Sequence, residues 1–207
     1  MLDVVNVGCT RGDRPLFKGL SFALKRGELL HITGRNGSGK TTLLRTLSGL
    51  SRPAEGRIQW NRIDTHRLGD EYHRQVGFVG HSNGIQGELT AEENLRHAAC
   101  LAGAASTGAI ASTLDTLGLS PYGHLPTKLL SQGQKRRLAL ARLILLRNPF
   151  WILDEPFTGL DVQSRDLMER LLQDHLAAEG LAIITSHHKL SLHAGQSREI
   201  DIESARP

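Results

Sequence analysis

The sequence predicts an α/β fold whose core is a mostly parallel sheet covered by helices on both faces. Three observations carry that expectation. Strand-like and helix-like segments alternate along the chain; the runs Phe150–Leu153 and Leu181–Ile184 are short and wholly apolar; and each follows a helical segment through a short turn. Strands buried on both faces read as continuous apolar runs, and parallel strands need crossover helices to return the chain.

In chain order, Leu2–Val7, Leu20–Leu24 and Glu28–Thr33 read as strands, separated by Arg-Gly-Asp-Arg-Pro and Lys-Arg-Gly turns. Thr41–Leu50 has apolar residues at helical spacing (Leu43, Leu44, Leu47, Leu50). Arg57–Trp60 and Gln75–Val79 are further strands. From Thr90 to Leu119 the chain is rich in Ala and Leu, shows no strand pattern, and opens on Thr90-Ala-Glu-Glu93, a capping box. An inserted helical subdomain is expected here. Gly133–Arg147 is a helix stopped by Asn148-Pro149, and Asp166–Ala178 a helix closed by Gly180. A terminal strand is expected at Glu199–Ile202.

At 207 residues, 39% apolar and 22% charged, the chain fits one soluble domain. A net charge of +4 from scattered basic residues makes no stripe for nucleic acid. The one compact basic cluster, Lys135-Arg136-Arg137, lies in a helical segment, and a solvated helix face is enough to account for it. Two distant cysteines match no metal or redox spacing, and there is no Cys-x-x-Cys-His; ten dispersed histidines give no haem motif. No signal peptide opens the chain, and no stretch reaches the ~20 apolar residues of a membrane span. A cytoplasmic location is expected, with any membrane attachment supplied by a partner.

Chemistry enters at Gly34-Arg35-Asn36-Gly37-Ser38-Gly39-Lys40-Thr41, which fits G-x-x-x-x-G-K-[ST] between a strand and a helix. Glycines let successive N–H groups converge on phosphates, and the helix start adds a favourable dipole. Lys40 is expected on the β- and γ-phosphates, Thr41 on Mg²⁺, and Thr42 beside the nucleotide. Phe150-Trp-Ile-Leu-Asp154-Glu155 places two carboxylates at the carboxyl end of a buried strand, where open α/β sheets bind ligands. Asp154 would hold Mg²⁺ through water, and Glu155 would polarise the attacking water. Together the two elements point to nucleoside triphosphate hydrolysis.

Leu130-Ser-Gln-Gly-Gln-Lys-Arg-Arg-Leu-Ala-Leu-Ala-Arg142, then Leu153-Asp-Glu-Pro-Phe-Thr-Gly-Leu-Asp161, then Thr185-Ser-His187, resemble the ATP-binding cassette (ABC) ATPases from Val4 to about His188. The resemblance implies a P-loop fold of ABC type with an N-terminal antiparallel β subdomain. It divides the chain into a nucleotide-binding core, residues 1–84 and 132–207, and a helical subdomain, residues 85–131. It implies ATP and Mg²⁺ as ligands, and a head-to-tail dimer in which Ser131, Gln132, Gly133 and Gln134 face the γ-phosphate held by the other copy. Asp161 would communicate across that sandwich, and His187 would contact the γ-phosphate.

Three departures stand out. Arg11 falls where the family stacks an aromatic on adenine, and its planar guanidinium is a candidate substitute. Gly80-His81-Ser82 replaces the usual Gln loop, making His81 a candidate Mg²⁺ ligand or coupling residue. Gln132 replaces a glycine of the signature. Cys9-Thr-Arg11, Gly80-His81 and Gly84–Leu95 are similar to the ATP-binding subunits of the haem exporter of bacterial cytochrome c maturation. That likeness implies integral membrane partners on the cytoplasmic face of the inner membrane, reached through the loop from His81 to Glu88, and no direct haem binding by this chain. An ABC subunit for another substrate, a soluble ABC ATPase and a P-loop kinase are the rival readings.

Overall fold

The computed structural model describes residues 1–12, 14–103, 107–186 and 197–205. Two long strands, β1 (Leu2–Arg11) and β2 (Arg14–Leu24), open the chain and pair antiparallel. β3 (Leu29–Thr33) leads through the glycine loop into α1 (Lys40–Leu47). β4 (Glu55–Trp60), β5 (Ile63–Asp64), α2 (Thr65–Leu68), α3 (Asp70–Gln75) and β6 (Val76–Val79) follow. The helices α4 (Ala91–Leu101) and α5 (Thr107–Thr116) precede α6 (Gln132–Leu146). β7 (Phe150–Asp154), α7 (Val162–Ala177), β8 (Leu181–Thr185) and β9 (Ser197–Asp201) complete the order.

Two sheets result. One is antiparallel in the order β2-β1-β4-β5; the other is parallel in the order β6-β7-β8-β3-β9. Alternation along the parallel strands sorts their side chains onto two faces. Leu30, Ile32, Phe150, Ile152, Leu181 and Ile183 join a core shared with α1 and the antiparallel sheet. Leu29, Trp151, Leu153, Ala182 and Ile184 face α6 and α7. Each such buried side chain contributes roughly 1.5–3 kcal/mol, which is why a strand with no polar residue is stable only between two layers.

A third core joins α4 and α5 to α6 through Leu95, Leu114, Leu138 and Ala141. α6 therefore has two apolar faces, one on the sheet and one on the helical unit. α4 starts where the sequence places it: Glu93 N–H donates to Thr90 Oγ1 at 3.1 Å, and Thr90 N–H donates to Glu93 at 2.8 Å. Among the described residues no helix is long and apolar enough to cross a membrane.

Several boundaries move. β1 and β2 reach Arg11 and Arg14, narrowing the expected turn. α7 begins at Val162 because Asp161 caps it, accepting from Ser164 N–H at 2.8 Å. α2 and α3 are short, polar turns that periodicity does not reveal; Asp64 caps the first by accepting from His66 N–H. Within the basic cluster of α6, Lys135 and Arg137 are partly exposed but Arg136 is only 4% exposed, because backbone carbonyls from distant segments converge on it.

Candidate functional site

The register of the parallel sheet brings three strand ends together, since Thr185 pairs with both Asp154 and Ile32. The chain leaving β3 turns at Gly34, with φ 139°. A Cβ there would lie 2.7 Å from Ile202 Cγ2 and 2.9 Å from Ser38 Oγ, so a side chain does not fit. Gly39, at φ 106°, is the N-cap of α1 and supplies no capping side chain. The first N–H groups of α1 are therefore open to an anion, reinforced by the helix dipole. Lys40 Nζ is held over the loop by the carbonyls of Gly34 (2.6 Å) and Arg35 (3.2 Å). Arg35 itself is exposed, and its N–H donates to Glu203. The Ser38 hydroxyl is buried against Gly34, without a hydrogen-bond partner among the described residues.

Asp154, 4% exposed, ties the loop helix to the sheet. Its Oδ2 accepts from the Thr41 hydroxyl at 2.8 Å, and its Oδ1 from the Thr185 hydroxyl at 2.7 Å. Glu155 follows with φ 50°, a left-handed conformation unusual for a residue with a side chain. Its N–H donates to Thr185 O and Oγ1, each at 3.1 Å, and its carbonyl accepts from Arg136 Nη2 at 2.9 Å. Thr41 and Asp154 are hard oxygen donors of the kind Mg²⁺ takes alongside phosphates and water. Among the described residues no group of three or more His, Cys, Asp or Glu offers an alternative metal site. The donor set fits Mg²⁺.

These residues line a cleft of about 440 Å³. Asn36, Gly37, Gly39, Lys40, Thr41 and Thr42 line it together with Asp154, Glu155 and Thr158, and with Arg11, Leu16 and His81. The sequence candidates Arg11 and His81, far apart in the chain, thus meet at one cleft. Gly34, Arg35 and Ser38 of the loop are not among the residues lining the cleft. Ser131, Gln132, Gly133 and Gln134 are not in this cleft's wall, nor is Asp161. They sit at the starts of α6 and α7, and a Cβ on Gly133 would come within 3.2 Å of the Gly159 carbonyl.

Ser131 and Gln134 form a reciprocal capping box, at 3.2 and 2.8 Å. The Ser131 oxygen accepts in that box, which leaves its proton available to donate outward. Hydrogen bonds from the Ser164 hydroxyl and amide hold the Asp161 carboxyl below the usual carboxylate range. His187 lies outside the described residues. A larger cavity, about 550 Å³, opens at the opposite end of the strands beside Trp151 and His175. It has no phosphate loop, and open α/β sheets bind ligands at the carboxyl ends.

Sequence reasoning missed Thr185, Leu16 and Arg136 as parts of this arrangement. Thr185 could be found from its place at the end of an apolar strand next to the one bearing Asp154. Arg136 carries no local signal, since only the folded chain brings its acceptors together.

A family model described as ABC transporter matches residues 17–158. The chain is 45% identical over 201 residues to the cytochrome c biogenesis ATP-binding export protein CcmA of Nitrosococcus oceani, covering 96% of this chain and 91% of that one. The protein of the same name from Escherichia coli O157:H7 is 43% identical over 209 residues, covering 100% and 98%. Among solved structures, the ATP binding subunit of an ABC transporter superposes with a TM-score of 0.82 at 26% identity, covering 90% of this chain and 80% of that one. A dimeric post-hydrolysis ATP-binding cassette bound to ADP and Pi gives 0.81 at 27% identity, covering 91% and 88%.

Proposed function

The chain belongs to the ABC transporter family, among the cytochrome c biogenesis ATP-binding export proteins, and from that premise we propose that it hydrolyses ATP to drive a membrane export complex of cytochrome c biogenesis. The observation that best supports hydrolysis is the Thr41–Asp154 pair, 2.8 Å apart, with Glu155 next in sequence lining the same cleft as the phosphate loop.

In this reading the loop amides Gly34–Thr42 cradle the triphosphate. Lys40 exchanges its carbonyl partners for β- and γ-phosphate oxygens, and Arg11 stacks on adenine through its guanidinium. Thr41 and Asp154 hold Mg²⁺, with His81 a candidate further ligand. When bound, Mg²⁺ neutralises charge on the phosphate oxygens. Glu155 accepts a proton from water as its oxygen bonds to the γ-phosphorus, and the bond to the departing ADP oxygen breaks. His187 is assigned to the γ-phosphate by family position.

A second copy completes each site, through Ser131, Gln132, Gly133 and Gln134 at the start of its α6, with Asp161 communicating across the interface. The dimeric cassette among the structural neighbours supports that arrangement. Integral membrane subunits meet the loop from His81 to Glu88 beside the helical subdomain, residues 85–131, on the cytoplasmic face of the inner membrane. The haem or holo-chaperone is handled by those subunits rather than by this chain.

The test is Glu155→Gln. It is expected to retain ATP binding, to lose about 10²–10⁴-fold in turnover, and to accumulate an ATP-bound dimer by analytical ultracentrifugation. Wild-type turnover in this variant would remove Glu155 from catalysis. Purification of the native complex from membranes should yield integral subunits that bind haem; subunits with another cargo would sink the export assignment while sparing the ATPase.

A further inference from the structure

We propose that Arg136 is a positioning residue that sets the backbone of Glu155 and links it mechanically to the loop Gly80–Gly84. All five guanidinium N–H donors are engaged. Nη2 donates to the carbonyls of Asp154 (2.7 Å) and Glu155 (2.9 Å), and Nε to that of Pro156 (3.2 Å). Nη1 donates to the Gly80 carbonyl (2.8 Å) and to Asn83 Oδ1 (3.1 Å). Three successive carbonyls on one rigid, planar fork fix the peptide planes on both sides of Glu155, the residue with φ 50°.

The other two acceptors bracket His81 and Ser82. One turn and more along the same helix, Arg142 donates to the carbonyls of Asn83 (2.8 Å) and Gly84 (2.9 Å), so α6 grips the loop at both ends. Arg136 is 4% exposed. A buried cation satisfied wholly by main-chain and amide oxygens cannot follow one of its partners without leaving the others. A shift of the loop is therefore felt at Glu155 through one side chain. The inference rests on the catalytic role proposed for Glu155, and it gives the loop a route to the hydrolytic step.

The experiment measures ATP turnover by the full chain carrying Arg136→Lys, Arg136→Gln and Asn83→Ala. Nucleotide affinity (a fluorescent ATP analogue) and thermal midpoint are followed in the same preparations. Lysine keeps the charge but cannot span both groups of acceptors. A misplacement on the order of 1 Å can cost about 10²-fold. Kcat is thus expected to fall about tenfold for Arg136→Lys and about 10²-fold for Arg136→Gln, with KM and affinity within about threefold of wild type. Asn83→Ala removes one acceptor from the fork and is expected to lower kcat a few-fold, with no further loss when added to Arg136→Gln.

Wild-type kcat in the Arg136 variants would overturn the proposal. So would kcat, affinity and thermal midpoint falling in step, or strictly additive effects of the Asn83 and Arg136 changes. If Glu155→Gln also kept its turnover, the catalytic assignment itself would fail; if Glu155→Gln were inactive while the Arg136 variants matched wild type, only the positioning role would.

Discussion

Thr185→Val isolates what one buried hydroxyl contributes to the site. Thr185 is fully buried; its hydroxyl donates to Asp154 Oδ1 at 2.7 Å and accepts from Glu155 N–H at 3.1 Å. Valine has nearly the same shape but neither donates nor accepts. The Glu155 N–H keeps the Thr185 carbonyl, so its loss is small. Asp154 Oδ1 loses its partner in a buried setting, and a hydrogen bond to a charged group is worth about 1.5–3 kcal/mol. The expected destabilisation is therefore about 2–3 kcal/mol, or roughly 5–10 °C in Tm for a chain of this size. Thr185→Ser keeps the hydroxyl and removes one buried methyl, costing about 1 kcal/mol. Urea unfolding followed by tryptophan fluorescence would give the order wild type, Ser, Val from most to least stable. If Val were as stable as Ser or more so, the hydroxyl would not be holding Asp154 and the reasoning would be wrong.

Two further outcomes follow from local geometry. Gly34→Ala forces a methyl to 2.7 Å from Ile202 Cγ2 at φ 139°. It should weaken ATP binding at least about tenfold and cost about 1–3 kcal/mol of stability; unchanged affinity by calorimetric titration would show that the loop relaxes freely. His175 stacks on Trp151 at 3.9 Å and 11°, its Nε2–H donating to the Leu181 carbonyl, and desolvation lowers its pKa from the ordinary imidazole value. The unfolded chain therefore takes up a proton that the folded one refuses, so stability falls as pH drops below about 6.5, by up to about 1.4 kcal/mol per pH unit. Urea midpoints between pH 8 and 5 should show that slope in wild type and a shallower one in His175→Phe; equal slopes would exclude His175 as its source.

The sheet was legible because its strands are short, apolar and bounded by turns, as in Phe150-Trp-Ile-Leu and Leu181-Ala-Ile-Ile. The loop was legible because its glycines occupy positions that only the backbone of glycine fits. The parts that escaped are those whose environment comes from afar. Arg136 looks like one more charge in a basic run, and nothing nearby reveals that Gly80, Asn83 and residues 154–156 will converge on it. The segment from Thr65 to Gln75 is too short and polar for periodicity, and is held by tertiary contacts such as Tyr72 against Trp60. Arg11 and His81 show the converse case. Their chain positions suggested a role, but only the folding of both sheets against the loop places them on one cleft.

The left-handed turn at Glu155 is held by the sheet end and α6 together, and with it the hydrolytic role proposed for that residue. A non-glycine residue in that conformation costs about 1–3 kcal/mol, so an unsupported turn would relax. Support comes from Thr185 on β8, through two acceptors for the Glu155 N–H, and from Arg136 on α6, through one donor to its carbonyl. Net contributions of about 1 kcal/mol per hydrogen bond, larger with a charged donor, are enough to outweigh the strain. They do so only while β8 and α6 keep their present separation. α6 also begins with Ser131–Gln134 and packs against α4 and α5. A displacement of α6 relative to the sheet would therefore act on the capping box at its start and on the support of Glu155 at once.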